Sequence, residues 1–572
     1  MTTRYGSDLI VDLMQCFGVE YAALNPGSTF RGLHDSIVNH GGNRPEIIQC
    51  PHEEVAVAIA HGYAKVTGRP MAAIVHDVVG LLHAAMAIYY AYLDRVPVLV
   101  LGATGPMEMT RRRPHIDWIH TAVAQGGAVR DYTKWDYQPV GAQDVAESFA
   151  RAYRVATTDP EGPVYLCYDA GFQEDPLSED VALPDPARVL PTRIHPDPAA
   201  LRRLAGWLVE ARSPVILTEY LGRRPEAMEG LVALAERVGA AVIDSGERLC
   251  FPSDHPLNLT GAEGVLEEAD LILALDVRDF QGALSRIDRV ARRTESVIAA
   301  GCRLAEIGLG DLGIRSWSQE FQRLQPVDLS ILGDASLALQ ALLECTSGAD
   351  AELVEERCRR HAATHARLRD GWAARAREAA GQEPIATAHL AAAVGDVIRD
   401  QDWVLTANTV RDWARRLWSF DAPHRHPGQS LGTATQIGIS LGVALAHRGS
   451  GRLVVDLQPD GDLLYDAATL WTAAYHRIPI LVVMYNNRAY YNDWEHQVLI
   501  ARDRDRDEKM AYLGMEIDRP APDFAGLARS FGWHGEGPIE RPGEVRAAVE
   551  RARDIVLKEG QPALVDIVTA YR

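Results

Sequence analysis

Seven cysteines are scattered through the chain, at positions 16, 50, 167, 250, 302, 345 and 358; they are odd in number and form no CxxC pair. That argues against a disulfide scaffold or a thiolate metal knuckle, and fits reduced thiols of a cytoplasmic protein serving mainly as small core residues. Cationic charge is also in short supply: 58 Lys and Arg face 78 Asp and Glu, for a net charge of −20 and a pI near 5.4. Such a balance speaks against nucleic acid or an anionic membrane as partner, so anionic ligands must be held by local donors or by metal. Long hydrophobic runs are missing. The longest uncharged apolar stretch, 78–93, falls short of the ~20 residues of a membrane span, contains His83, and reads as a buried helix. The opening MTTRYGSDLIVDLM has no apolar centre of a signal peptide and reads as a first amphipathic helix.

What the sequence does contain is an α/β pattern. At 572 residues it is too long for one core and predicts about three or four domains. Segments 1–185, 190–345 and 370–572 alternate β-branched runs with helical ones, so three parallel-sheet α/β domains are expected. Strands are expected at 21–25, 47–49, 71–75 and 96–101 in the first segment, and at 215–218, 241–243, 271–275 and 296–299 in the second. The Pro-rich VALPDPARVLPTRIHPDP reads as the linker between them, and a charged helical stretch, 351–382, leads into the third.

The clearest single unit is 454–487. It reads as a strand to Asp456, a Pro459-Asp460-Gly461 turn, a helix over 466–476, a stop at Pro479 and a second buried strand over 480–485. Parallel strands joined by a helix bring both carboxyl ends to the sheet edge where α/β proteins bind ligands. Asp460 and Asn487, 27 positions apart, then stand together as one carboxylate and one amide oxygen, a set suited to Mg²⁺. Gly461 is expected to let the backbone approach an anion, and the following helix to turn its N–H groups towards it.

Asp460-Gly461 followed at this distance by Asn486-Asn487 resembles the thiamin diphosphate (ThDP) signature of the superfamily containing pyruvate decarboxylase, acetolactate synthase, benzoylformate decarboxylase, oxalyl-CoA decarboxylase and 2-hydroxyacyl-CoA lyase. The second half of the resemblance is His52-Glu53, with Gly62-Tyr63-Ala64 nine residues beyond the Glu. The likeness runs through nearly the whole chain in the family's order: pyrimidine-binding, middle, diphosphate-binding. It implies that Asp460, Asn487 and the backbone carbonyl of Ala489 hold Mg²⁺. It also places Gly432, Ile437, Gly438, Asp460, Gly461, Asp462 and Asn487 against ThDP, with Ile437 propping the cofactor into its bent shape. Glu53 would bond N1′ of the aminopyrimidine and drive the tautomerisation that activates the cofactor, a task suited to a desolvated carboxylate of raised pKa. Pro459 departs from the Gly usual before the Asp. In this superfamily a complete site combines domains from two subunits, which implies a homodimer or a dimer of dimers.

Two further residues fall where benzoylformate decarboxylase binds its substrate: Ser28, matching a carboxylate-binding serine, and His76, 23 residues after Glu53, matching a pocket histidine. Glu495, eight residues past Asn487, begins the stretch that walls the substrate side in relatives and is a candidate proton shuttle. Asp117, Trp118 and His120 are weaker pocket candidates. The middle segment lacks GxGxxG after its first strand, so FAD is not expected, while Arg223, Arg224, Arg278 or Asp311 leave ADP or CoA open. Gly442 stands where oxalyl-CoA decarboxylase and 2-hydroxyacyl-CoA lyase carry Gly and simple decarboxylases often carry Pro. On Gly442, Glu495 and the degraded FAD text, the reading favoured here is a ThDP- and Mg²⁺-dependent carbon–carbon lyase of 2-hydroxyacyl-CoA type, with an acyl-CoA thioester as substrate. Ser28 and His76 favour the alternative, a 2-oxo acid decarboxylase; an acetolactate synthase-like carboligase and a catalytically silent regulatory relative stand behind these.

Overall fold

Short runs of β-branched and other apolar residues, buried along their whole length, become the central strands of parallel sheets, as in MAAIV and LILAL. In the computed structural model, described for residues 3–113, 116–178, 180–288, 293–315 and 323–571, the chain forms two compact units. The first comprises Met1–Arg193, Leu431–Ser450 and Tyr465–Ile478; the second comprises Ile194–Ser430, Gly451–Leu464 and Pro479–Arg572. All three large sheets are parallel, as expected.

The first unit contains β1 (Tyr21–Leu24), β2 (Glu46–Gln49), β3 (Met71–Val75), β4 (Val98–Thr104), β5 (Trp135–Tyr137) and β6 (Val164–Asp169), in the order β2-β1-β3-β4-β6-β5. The second unit holds two five-stranded sheets. One is built from β7 (Pro214–Thr218), β8 (Ala241–Asp244), β9 (Leu271–Leu275), β12 (Arg303–Gly308) and β13 (Leu329–Leu332), in the order β13-β12-β9-β7-β8. Beside it, β10 (Ser285–Asp288) and β11 (Arg293–Ser296) make an antiparallel hairpin. The other sheet has β14 (Trp403–Thr406), β15 (Leu453–Pro459), β16 (Leu481–Asn486), β17 (His534–Ile539) and β18 (Ala563–Val568), in the order β14-β15-β16-β18-β17.

The helices that matter for the site are α1 (Arg31–Asp35), α2 (Glu53–Thr67), α3 (Asp77–Leu93), α4 (Ala351–Glu378), α5 (Gln436–Ala446), α6 (Asp460–Tyr465), α7 (Thr469–Tyr475) and α8 (Tyr491–Asp503). Helix α2 starts on His52, whose side chain accepts from the Glu54 N–H, and stops at Gly68 in the left-handed region, φ 66°. It is buried on nearly every side because α5 crosses it. At the crossing a Cβ on Gly62 would stand 2.0 Å from the Ile439 carbonyl oxygen, and one on Gly442 would stand 2.1 Å from that of Ile59. Gly442 is therefore demanded by helix packing whatever the substrate, which removes it as a marker of acyl-CoA chemistry.

Other expectations also change. The stretch 296–299 supplies only the last residue of the hairpin strand β11; the sheet strand is β12, whose RLAEIG alternates less cleanly with apolar residues. The apolar stretch 78–93 is a helix but not a buried one throughout: Leu82 and Met86 are 57% and 41% exposed. In the 454–487 unit the first strand runs on to Pro459, Asp460 opens a helix instead of ending a strand, and the expected single helix is two, α6 and α7. Pro459 is tolerated because it closes a strand, where its missing N–H and fixed φ cost little. Among the described residues no helix is long and apolar enough to cross a membrane.

Candidate active site

Strand β1 ends at Leu24 and the turn Asn25-Pro26-Gly27-Ser28 leaves it; one strand over, β3 ends at Val75 and His76 opens α3. Parallel pairing brings these two exits together at one sheet edge. Thr29 Oγ1 lies 3.0 Å from His76 Nδ1, and Gly27 packs so closely on the imidazole that a Cβ there would stand 2.3 Å from His76 Cβ. His120 completes the group, its Nδ1 3.4 Å from His76 Nε2 and the rings edge to face. The Ser28 hydroxyl is buried and makes no hydrogen bond among the described residues. Trp118 lies instead under the Arg112 guanidinium, 3.5 Å from ring centre to cation, and the side chain of Asp117 falls outside the described residues.

Glu53 is the first residue of α2 and 4% exposed. Asn25 Nδ2 donates to its Oε1 at 3.1 Å, and His83 Nδ1 sits 3.0 Å from its Oε2. Burial raises the Glu53 pKa, but the bond to His83, its own backbone N–H and the Asn25 amide outweigh it, and the carboxyl ends below its ordinary value. The expected raised pKa is thus corrected to a lowered one. The His52 ring stacks on His83 with centroids 4.7 Å apart. Ile437, fully buried, and Gly438 lie on α5 in the same unit, Gly438 against Ala58 of α2; Gly432 precedes that helix with φ 77°.

In the second unit, β15 and β16 pair in register from Val455 with Leu481 to Pro459 with Tyr485, which sets Asp460 and Asn487 just past two adjacent strand ends. Asp460 is 2% exposed, and its Oδ2 is buried with no hydrogen bond among the described residues. Burial lifts its pKa to about 6 even though the backbone N–H groups of Gly461, Asp460, Arg488 and Ala489 pull the other way. Asn487 Oδ1 accepts from the Ala489 N–H at 3.0 Å. The turn is pinned from the far side, where Tyr490 N–H donates to the Met515 carbonyl at 2.8 Å and Ile517 N–H to that of Arg488 at 2.7 Å. Asp462, two residues further along α6, is buried too. A Cβ on Gly461 would stand 2.6 Å from the Tyr490 ring, so this position admits no side chain beside the tyrosine. Glu495, on α8, is half-buried in the same unit.

Three family models cover most of the chain: the N-terminal TPP binding domain of thiamine pyrophosphate enzymes matches residues 4–125, the central domain 201–342 and the C-terminal TPP binding domain 408–567. The chain belongs to the thiamine pyrophosphate enzyme family. It is a ThDP-dependent enzyme of the decarboxylase and acetolactate synthase group. Benzoylformate decarboxylase of Pseudomonas aeruginosa is 26% identical over 536 residues, covering 91% of this chain and 90% of that one. The acetolactate synthase large subunit of Haemophilus influenzae is 25% identical over 574 residues, covering 96% and 92%. Among solved structures, benzoylformate decarboxylase of Polynucleobacter necessarius shares the fold with a TM-score of 0.76 at 20% identity, each chain covered to 99%.

The residues present fit the cofactor such enzymes use. An acid lying between two donors offers itself to a ring nitrogen, and a buried carboxylate oxygen without a hydrogen bond among the described residues, with an amide side chain past the neighbouring strand end, is a poor arrangement without a cation and a good one with it. In the middle sheet, Arg223 Nη2 meets Asp276 Oδ2 at 2.8 Å, and Arg278 donates to the Tyr220 hydroxyl at 2.9 Å with Glu219 beside it. Two of the arginines expected to hold ADP or CoA, Arg223 and Arg278, thus face neighbouring acids, while Asp311 is exposed. Sequence reasoning missed His83, Thr29 and the Asn25 contact to Glu53. Only His83 left a signal, seven positions after His76 and so on one face of a helix.

Proposed function

We propose that this thiamine pyrophosphate enzyme decarboxylates a small 2-oxo acid. The observation that carries the reading is the buried, unpartnered Ser28 hydroxyl on the turn that also touches Glu53, His76 and, through His76, His120. A hydroxyl without a partner in a buried site wants an acceptor, and a carboxylate supplies one. Gly442 no longer favours an acyl-CoA substrate, so 2-hydroxyacyl-CoA lyase becomes the outcome that would overturn this reading.

When bound, ThDP supplies the nucleophilic carbon and takes up the electron pair released as the carbon–carbon bond breaks. Glu53 holds the pyrimidine end through its carboxylate. Asp460, Asn487 and the Ala489 carbonyl would hold Mg²⁺, which would neutralise the diphosphate. Ser28 orients the carboxylate to be lost, and the His76–His120 pair moves the proton needed once carbon dioxide has left, with Thr29 Oγ1 fixing the His76 ring. Glu495 remains a candidate second acid. The working enzyme is at least a homodimer in which one copy supplies Glu53 and its partner supplies Asp460. The test is turnover of 2-oxo acids beside 2-hydroxyacyl-CoA thioesters by protein loaded with ThDP and Mg²⁺. Carbon dioxide released from the acids, and lost in Ser28→Ala, supports the proposal; cleavage of the thioesters alone refutes it.

A further inference from the structure

Bordering the same turn is an open cavity of about 560 Å³, lined in part by Gly27, Ser28, Arg31, His34 and Asp35. Two of these residues already belong to the proposed site: Ser28 carries the unpartnered hydroxyl, and Gly27 packs on His76. The others come from the helical stretch that the turn feeds. Arg31 opens α1 and His34 follows three residues later, so both stand one helical turn from a neighbour on the same face. Arg31 is exposed and has no acidic partner among the described residues; the adjacent Asp35 has its carboxylate taken up by Asn39 Nδ2 at 2.6 Å. In a chain with a net charge of −20 most arginines near an acid are paired with it, and this one is left with its five donors open at the mouth of a cavity. His34, half-buried, adds a ring nitrogen from the same wall and makes no hydrogen bond among the described residues.

We propose that Arg31, assisted by His34, receives a second anionic group at the far end of the substrate. Resting on the decarboxylase reading, this names the substrate class: 2-oxo acids with a terminal carboxylate, phosphonate or sulfonate a few carbons from the keto group. Ser28 holds the carboxylate that leaves, and Arg31, one turn along the chain, holds the acid that stays. A planar guanidinium meets each of these anions with paired N–H donors.

The test compares 2-oxo acids of equal chain length ending in methyl, carboxylate, phosphonate or sulfonate, on wild type, Arg31→Ala, Arg31→Glu and His34→Ala, with all four dimer-competent by gel filtration. Wild type is expected to favour the anion-ended acids by about tenfold or more in kcat/KM, the size expected of one charge-assisted contact. Arg31→Ala should erase that preference by raising KM for those acids only, and Arg31→Glu should reverse it. Thermal shifts with unreactive aliphatic diacids and their monoacid counterparts give the same comparison without turnover. A wild type indifferent to the tail, or an Arg31→Ala loss equal for charged and uncharged tails, overturns the proposal while leaving the decarboxylase reading intact. Failure of every 2-oxo acid removes that reading, and the subsite with it.

Discussion

Asp460 is the residue whose environment most constrains its chemistry. Its pKa is raised from 3.8 to about 6 by burial, so the folded chain keeps a proton that the unfolded chain has already released across that interval. The sign follows: without metal, this group costs stability increasingly as pH rises from about 4 to 6. Under the proposed function, Mg²⁺ bound at Asp460 would take the proton's place. The stabilisation produced by Mg²⁺ with ThDP should therefore grow over the same interval and vanish in Asp460→Ala, as differential scanning fluorimetry at stepped pH would register; a shift independent of pH would contradict it. Glu53 behaves oppositely, because His83 and Asn25 hold its pKa down. His83→Ala removes the principal donor, so the acidic limb of the kcat/KM profile should move to higher pH, with cofactor still retained. Glu53→Gln should abolish turnover and leave the fold unchanged by circular dichroism.

At the scale of elements, helix α2 carries two separable arrangements. Its first turn bears Glu53, while its last turns bear a buried ionic cluster: Lys65 Nζ lies 2.7 Å and His61 Nε2 2.6 Å from Asp94 Oδ2, with Asp94 4% exposed. Removing the shared acid takes the anion from beside the fully buried Lys65 side chain, so Asp94→Ala should lower stability by about 3 kcal/mol in urea unfolding. The crossing of α2 with α5 makes a different demand. Gly442→Ala puts a methyl group 2.1 Å from a backbone oxygen that cannot move aside, and should destabilise by about 1–3 kcal/mol or more. The decisive companion measurement is the substrate profile of that variant: it should be unchanged, because Gly442 serves packing and not recognition.

For the whole molecule, Glu53 and Asp460 belong to different compact units of the chain. If each working site draws one of them from each of two copies, Glu53→Gln and Asp460→Ala complement one another. Co-refolding equal amounts of the two inactive proteins should restore about a quarter of wild-type activity, since half the dimers are mixed and each mixed dimer rebuilds one of its two sites. No recovery in dimers shown to be mixed would place both residues of a site in one copy.

How much of this was legible beforehand differs from residue to residue. The 71–75 and 271–275 strands match β3 and β9 end for end because a continuous apolar run has only one way to hide all its faces in a parallel sheet. β12 and the hairpin before it were misplaced, since their residues are mixed in polarity and their pairing depends on neighbours distant in sequence. Asp460 and Asn487 could be nominated from their place at the ends of adjacent parallel strands, whereas Glu53, Ser28 and His76 came only with the family resemblance. What spacing cannot convey is who stands beside whom. Sequence by itself determined the α/β class, the family and the residue types of the site; only the folded chain decided that His83 lowers Glu53, that Tyr490 fills the place beside Gly461, and that Gly442 answers to a helix crossing, because burial and close approach are properties of positions in space.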